Sequence, residues 1–427
     1  MLRGRKILFF FVVVLMFVPL LQEYFHIFKV KPLLGSYNLA AKPEIGFKQW
    51  FSGSCQDSLN DYYNQHFTLR PVFVRVNNQL DYSLYRKSNA KKVVIGKSGV
   101  LFENNYLLAW QGADFIGEKP IDSIMELASS AQNLLAQKGV DMLVVLAPGK
   151  ASFFPEYIPA PYNKKVSEFT NYELISKKCQ EKGIHYIDLN CWFSEIKSAS
   201  PYPLYPKCGI HWSEYGMFLA SDTIIKTIES IRKVNLPDMY IKNIEITKQQ
   251  LGLDYDIGNT LNLLFPINAY PMAKLDIGYS NTTNYKPDVL VIGDSYYWNI
   301  YLSSIPGNVF RSKDFWYYNL NAYNDGTNIM AATTNTLDYK SEILKRDVII
   351  ILQTDGGLNN FGFNFFTDVI NTLNNPGFND RVEQYRQAIL KDDAWKKSVE
   401  EKARQRNIPF EEMLLLDAKY MAEHEAQ

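Results

Sequence analysis

The sequence predicts an α/β fold built on a doubly wound parallel sheet. Three observations carry this. Apolar runs recur at 141–147, 289–292 and 347–352, the first and last each opened by a single aspartate. A run without polar alternation is what a strand buried on both faces requires. Helical patterns lie between such runs, with glycine at the joints, as in Lys138-Gly139. Each run also ends in a glycine-bearing turn: Pro148-Gly149-Lys150, Gly293-Asp294-Ser295 and Gln353-Thr354-Asp355-Gly356-Gly357. Open α/β sheets bind their ligands at these carboxyl ends.

Residues 1–30 read as a signal anchor. Arg3, Arg5 and Lys6 precede an apolar run at 7–21, and Tyr24, Phe25, Ile27 and Phe28 extend it toward the interface. A cleaved leader needs small residues before the cut, and Ser36-Tyr37-Asn38-Leu39-Ala40 sets Asn38 at the −3 position. The basic lead keeps the N-terminus cytoplasmic. The expected location is therefore the cell inner membrane, single-pass, with the body in the periplasm.

Residues 31–90 hold a linker (31–46) and two helices, 57–66 and 71–85, the second with Pro71 at its start. Residues 91–375 form the α/β body. It opens with a hairpin at 93–102 and continues with helices at 121–137 and 167–182 and a short strand at 185–189. A helix at 214–231 follows, with Ser213 as N-cap. The segment 240–286 is loop-rich, with room for a small β insertion. Residues 376–427 are helical and charged, with Trp395, Val399 and Ala403 on one stripe.

Composition narrows the function classes. The 45 basic and 45 acidic side chains cancel, whereas a nucleic-acid binder carries a basic excess. Four scattered cysteines (Cys55, Cys179, Cys191, Cys208) make no disulfide framework, and no Cys/His cluster suggests a metal. Nothing implies a cofactor. Aromatics reach 14%, with 28 Tyr and 26 Phe; rings on this scale fill a core and can also line a sugar-binding groove.

Ser295 is the candidate nucleophile. It follows a buried strand and begins a helix, where free N–H groups favour developing negative charge. Serine needs a base, and histidine is the usual one near neutral pH. Of five histidines (26, 66, 185, 211 and 424), His211 stands in the most pointed context, Gly209-Ile210-His211-Trp212, just before a capped helix. Asp294 precedes the nucleophile, and its expected task is to shape the turn. Oxyanion donors are expected among the N–H groups near Ser295 and Tyr296, with Lys150 as a further contributor.

Gly-Asp-Ser after a buried strand resembles the nucleophile block of the SGNH hydrolase superfamily. Here the histidine motif precedes the serine, which resembles the circularly permuted branch, the alginate O-acetyltransferase AlgX/AlgJ-like proteins. Trp50-Phe51-Ser52-Gly53, Phe67-Thr68-Leu69-Arg70, 94–102, Pro148-Gly149-Lys150 with 154–159, and His211-Trp212 agree with it. The resemblance spans roughly residues 45–360. It implies an SGNH (flavodoxin-like), circularly permuted sheet. It also implies O-acetyl transfer to an extracytoplasmic polysaccharide through a Ser295 acyl-enzyme, with a membrane-bound O-acyltransferase (MBOAT) as acetyl-donor partner.

The family motif reads Asp-x-His-Trp, with the aspartate orienting the histidine. Gly209 stands in its place. Three readings follow: a Ser295–His211 dyad, a substitute acid such as Asp355, or a glycan-binding scaffold without catalysis. A carbohydrate esterase, using the same residues with water as acceptor, is the alternative enzyme.

Overall fold

The structure is a computed structural model, and it describes residues 2–35, 39–46, 50–52, 54–249, 252–280, 285–375, 377–406 and 408–424. Ser36 to Asn38 of the leader motif and Gly53 of the Trp50 motif lie outside them.

In chain order the strands are β1 (Val93–Ile95), β2 (Leu101–Glu103), β3 (Asp141–Ala147), β4 (Tyr186–Asp188), β5 (Met239–Thr247), β6 (Met272–Tyr279), β7 (Val289–Gly293), β8 (Asp314–Tyr317), β9 (Asn321–Tyr323), β10 (Ala332–Thr333) and β11 (Val348–Thr354). Seven of them form the central sheet, in the order β10-β9-β8-β7-β11-β3-β4. The five from β8 to β4 run parallel. The other two correct the expectation of an all-parallel sheet: β9 and β10 pair antiparallel at one edge. The cause is local. Only Tyr318 to Leu320 separate β8 from β9, too few for a crossover helix, so the chain reverses in a tight turn. Tyr318 and Asn319 make that turn with φ of 54° and 56°.

The two faces of the sheet separate by period two. Leu143, Val145, Val289, Val291, Ile350 and Leu352 belong to one core, with Phe218, Ile224 and Ile228 of the helix Glu214–Arg232. Met142, Val144, Leu290, Ile292, Ile349 and Ile351 belong to the other. That second core is closed by the helices Glu118–Ala136, Asn171–Glu181 and Phe365–Asn374. Every residue of β7 and β11 is buried. Each fully buried Val, Leu or Ile there contributes roughly 1.5–3 kcal/mol, which is why these runs were legible as strands.

Ion pairs pin the amino end of the sheet. Buried Arg346 bonds Asp288 at 2.7 Å and also Asp314 and Glu342, while Arg232 joins Asp141 and Asp347. The carboxyl end is left for other work. The segment expected to be loop-rich, 240–286, lies largely in a two-stranded β5–β6 hairpin that begins at Met239, with a short helix, Asp256–Thr260, between its strands.

The C-terminal helices Phe378–Lys391, Asp393–Arg406 and Phe410–His424 build a small core of their own, including Val399 and Ala403. Lys419 to Asp368, 2.6 Å, ties it to the body. At the other terminus the helix Leu2–Phe25 includes 22 residues, Gly4–Phe25, long and apolar enough to cross a membrane, with mean hydropathy 2.2. All four cysteines are free.

Candidate active site

Ser295 leaves the carboxyl end of β7, as its position after a buried run requires. Asp294 fixes the turn. Its Oδ1 accepts the Tyr296 N–H at 3.0 Å, and its Oδ2 accepts the Thr354 N–H and hydroxyl, both at 2.7 Å. The turn after β7 is thereby tied to the end of β11. Burial raises the Asp294 carboxyl, against these hydrogen bonds, which lower it.

His211 arrives from the loop before the helix Glu214–Arg232. Ser213 Oγ caps that helix by accepting the Gly216 N–H at 2.9 Å. His211 Nε2 lies 3.0 Å from Ser295 Oγ, and its Nδ1 lies 2.6 Å from Asp256 Oδ2. An ionised carboxylate only accepts, so Nδ1 carries the proton and Nε2 presents its lone pair to the serine hydroxyl. Asp256 is itself held: its Oδ1 accepts the Ile210 N–H at 2.9 Å and the Ile257 N–H at 2.6 Å. Serine, imidazole and carboxylate thus stand in one hydrogen-bonded line, the arrangement that activates a serine hydroxyl.

Of the readings left open for the orienting acid, a substitute carboxylate is the one present, and it is Asp256 rather than Asp355. Asp355 is elsewhere: its carboxyl accepts from Ser152 Oγ and lies against Gly149, where an added Cβ would fall 1.6 Å from Oδ1. Burial pushes it up to about 7, and the bond from Ser152 opposes the shift. Gly209 and Asp256 explain each other. A Cβ at 209 would sit 2.0 Å from the Leu253 carbonyl oxygen and 3.0 Å from the Asp254 carbonyl carbon. The strip of chain that delivers Asp256 therefore occupies the space an aspartate at 209 would need.

The supporting residues also take places the sequence did not specify. Lys150 is fully buried, and its Nζ donates to the carbonyls of Lys207 at 2.9 Å and Gly209 at 2.5 Å. It clamps the loop that carries His211 rather than supplying an oxyanion contact. Burial lowers its ammonium to about 7. Tyr296 donates its hydroxyl to the Ile210 carbonyl at 2.6 Å, and its ring lies 5.0 Å from the His211 ring. Its N–H is taken by Asp294, so it is not a free oxyanion donor. The Ser295 N–H makes no hydrogen bond among the described residues. Trp212 is buried edge-on against Tyr296, with ring centroids 5.3 Å apart.

An open groove of about 580 Å³ is lined by Asp254, Lys274, Trp298 and Asn299 among others, close to the triad in sequence but not lined by its three side chains. Trp298 and Asn299 follow the nucleophile, and Asp254 precedes Asp256 by two residues.

Comparison with known proteins adds a family match over part of the chain. Residues 93–251 match the model described as "SGNH hydrolase-like domain, acetyltransferase AlgX". No curated protein matches the chain. Among solved structures, the O-acetyltransferase domain of Pseudomonas putida AlgJ is similar at 14% identity and a TM-score of 0.42, over 66% of this chain and 99% of that one. Pseudomonas aeruginosa AlgX is similar at 12% and 0.42, over 70% and 69%. Bacillus cereus PatB1 with a sulfonyl adduct is similar at 13% and 0.37, over 57% and 92%. The matched segment includes His211 but ends before Asp256 and Ser295, and over it the chain is similar to the SGNH hydrolase-like family of AlgX type.

Proposed function

We propose that this chain is an O-acetyltransferase that acetylates an extracytoplasmic polysaccharide through an acyl-enzyme on Ser295. One observation carries the reading: the unbroken line Ser295 Oγ, His211 Nε2 and Nδ1, Asp256 Oδ2, with contacts of 3.0 and 2.6 Å. The description of the matching family as an acetyltransferase supports the group transferred.

The steps follow from the geometry. Ser295 Oγ attacks the acetyl carbonyl carbon while its proton passes to His211 Nε2. Asp256 stabilises the imidazolium that forms. The unpaired Ser295 N–H is a donor for the oxyanion, at the start of the helical turn Tyr297–Tyr301. The leaving group departs with the proton from Nε2. A sugar hydroxyl then enters, gives its proton to Nε2, and its oxygen attacks the acyl carbon. Ser295 Oγ leaves and recovers the proton. The groove beside Trp298 is the acceptor's approach.

In the same reading, residues 91–375 are the SGNH-like body, circularly permuted because His211 precedes Ser295. The helix Leu2–Phe25 anchors the chain in the inner membrane, with the body outside the cytoplasm. A membrane-bound O-acyltransferase (MBOAT) supplies the acetyl group.

The test is acetyl transfer from a chromogenic acetate ester to an oligosaccharide, with and without Ser295→Ala. Acetylated sugar from the unaltered chain alone supports transfer. Release of acetate with no acetylated sugar supports the esterase instead. Equal transfer by both chains defeats the reading.

A further inference from the structure

A second cavity lies along the same carboxyl edge of the sheet. It spans the ends of β11, β3 and β4, whereas the nucleophile follows β7. Its volume is about 210 Å³, and Trp110, Asp114, Ser152, Asn190 and Asp355 help to line it. Lys165 and Cys191, both exposed, stand among its lining residues.

Asp355 Oδ1, Asn190 Nδ2 and Asp114 Oδ1 are buried in this one cavity without a partner at full hydrogen-bond geometry among the described residues, although Asn190 and the Gly356 N–H lie close enough to Asp355, and Asn171 to Asp114, to lower those carboxyls. Asp355 and Asn190 are each only 3% exposed. Neighbouring polar groups are satisfied. Ser152 donates to Asp355 Oδ2, Tyr172 donates to Asp188 at 2.9 Å, and the Asn171 amide donates to the Asp114 carbonyl at 3.0 Å. A buried polar atom left unpaired costs roughly 1–3 kcal/mol. Donor and acceptor atoms held short of full bonds in one cavity favour an occupant that both donates and accepts.

The chemistry of the wall selects that occupant. An amide N–H is no ligand for a cation. Three carboxyls, Asp114, Glu173 and Asp355, outnumber the one ammonium, Lys165, and disfavour an anion. Burial raises both Asp114 and Asp355, which favours their uncharged forms and hence an uncharged partner. Hydroxyl groups meet every demand, since each donates to a carboxyl oxygen and accepts from an amide. The volume equals that of roughly seven waters at ~30 Å³ each. It is smaller than the ~300–1,000 Å³ of drug-sized pockets, and it suits a single sugar ring. The cavity is also wired to the triad: Thr354, next to Asp355, bonds Asp294, next to Ser295.

We propose that this cavity is a secondary glycan subsite, which holds one unmodified pyranose unit of the acceptor while another unit reacts at Ser295. The proposal rests on the reading of the chain as a glycan acetyltransferase.

The test is saturation-transfer NMR with methyl glucoside, galactoside and mannoside on the Ser295→Ala chain. At least one should bind saturably, and Asn190→Leu or Asp114→Leu added to that chain should weaken it at least tenfold. Absence of saturable binding by all three overturns the subsite, as does equal binding by the variants, which would mark surface adhesion only. If circular dichroism finds Asn190→Leu unfolded, Asp114→Leu decides alone. The two readings fail separately. No glycoside binding, with Ser295 of the unaltered chain still acetylated by an activated ester, removes only the subsite. Glycoside binding, with Ser295 of the unaltered chain never acetylated, removes only the transferase.

Discussion

Asp256→Asn isolates the contribution of the orienting carboxylate. In the folded chain Asp256 Oδ2 lies 2.6 Å from His211 Nδ1. Asparagine keeps the shape and one acceptor oxygen, so the bonds from the Ile210 and Ile257 N–H groups can persist. What goes is the negative charge that holds the Nδ1–H tautomer and stabilises imidazolium. In a Ser-His-Asp triad the same exchange lowers kcat by ~10⁴. The Asp256 side chain is 21% exposed, so water can replace part of the lost interaction. The expected loss here is therefore smaller, ~10³ in kcat, or about 4 kcal/mol at ~1.36 kcal/mol per decade. The assay is the initial rate of acetyl transfer from a chromogenic ester to oligosaccharide, with melting curves to establish equal folding. Asp222→Asn, which breaks an outlying pair with Lys226 at 2.5 Å, is the control and should change kcat less than twofold. An Asp256→Asn chain that keeps more than a tenth of its kcat would refute the reasoning.

Three further outcomes follow from the same geometry. Gly209→Ala drives a Cβ to within 2.0 Å of the Leu253 carbonyl oxygen. It should cost roughly 1–3 kcal/mol in urea unfolding and lower kcat about tenfold as the Asp256 strip shifts. Lys150→Met should flatten the rise of stability with alkalinity. The buried ammonium titrates near 7 instead of 10.5, so its contribution is present above 10.5 and is lost as pH falls through about 7. Between pH 7 and 9 the parent chain should gain roughly 1.4 kcal/mol per pH unit over Lys150→Met, and parallel unfolding curves would contradict this. Asp355→Asn acts in the opposite window. The carboxyl is raised from 3.8 to about 7, so its contribution is full below 3.8 and is lost as pH rises through about 7. The variant should gain on the parent by roughly 1.4 kcal/mol per pH unit between 5 and 7, measured by urea unfolding at fixed pH.

Much of the body was readable because its central strands are buried on both faces. The runs that became β3, β7 and β11 could afford no polar alternation, and glycine turns fenced them. Ser295 and His211 were legible for a related reason: each follows a strong local signal, a buried strand in one case and a capped helix in the other. The antiparallel edge was not legible. β9 and β10 are three and two residues long, too short for a periodicity to register.

Asp256 escaped for a different reason. It begins a five-residue helix inside the β5–β6 hairpin, 45 residues from the histidine it serves. No motif marks it, and Asp254 two residues earlier is equally acidic. Gly209 held the clue in negative form. A glycine in place of the expected aspartate left dyad, substitute acid and lost catalysis all open, whereas close packing of the Leu253–Asp254 backbone requires it. Lys150 likewise read as part of a strand-end turn and a further oxyanion contributor. Its burial against two carbonyls is tertiary information that no local pattern carries.

The most direct test is mass spectrometry of the intact chain and of its Ser295 peptide after brief exposure to an activated acetyl ester. The expected result is one acetyl group on Ser295, absent from Ser295→Ala and strongly slowed in His211→Ala, and discharged when oligosaccharide is added. Acetylated oligosaccharide formed at full rate by the Ser295→Ala chain would contradict it.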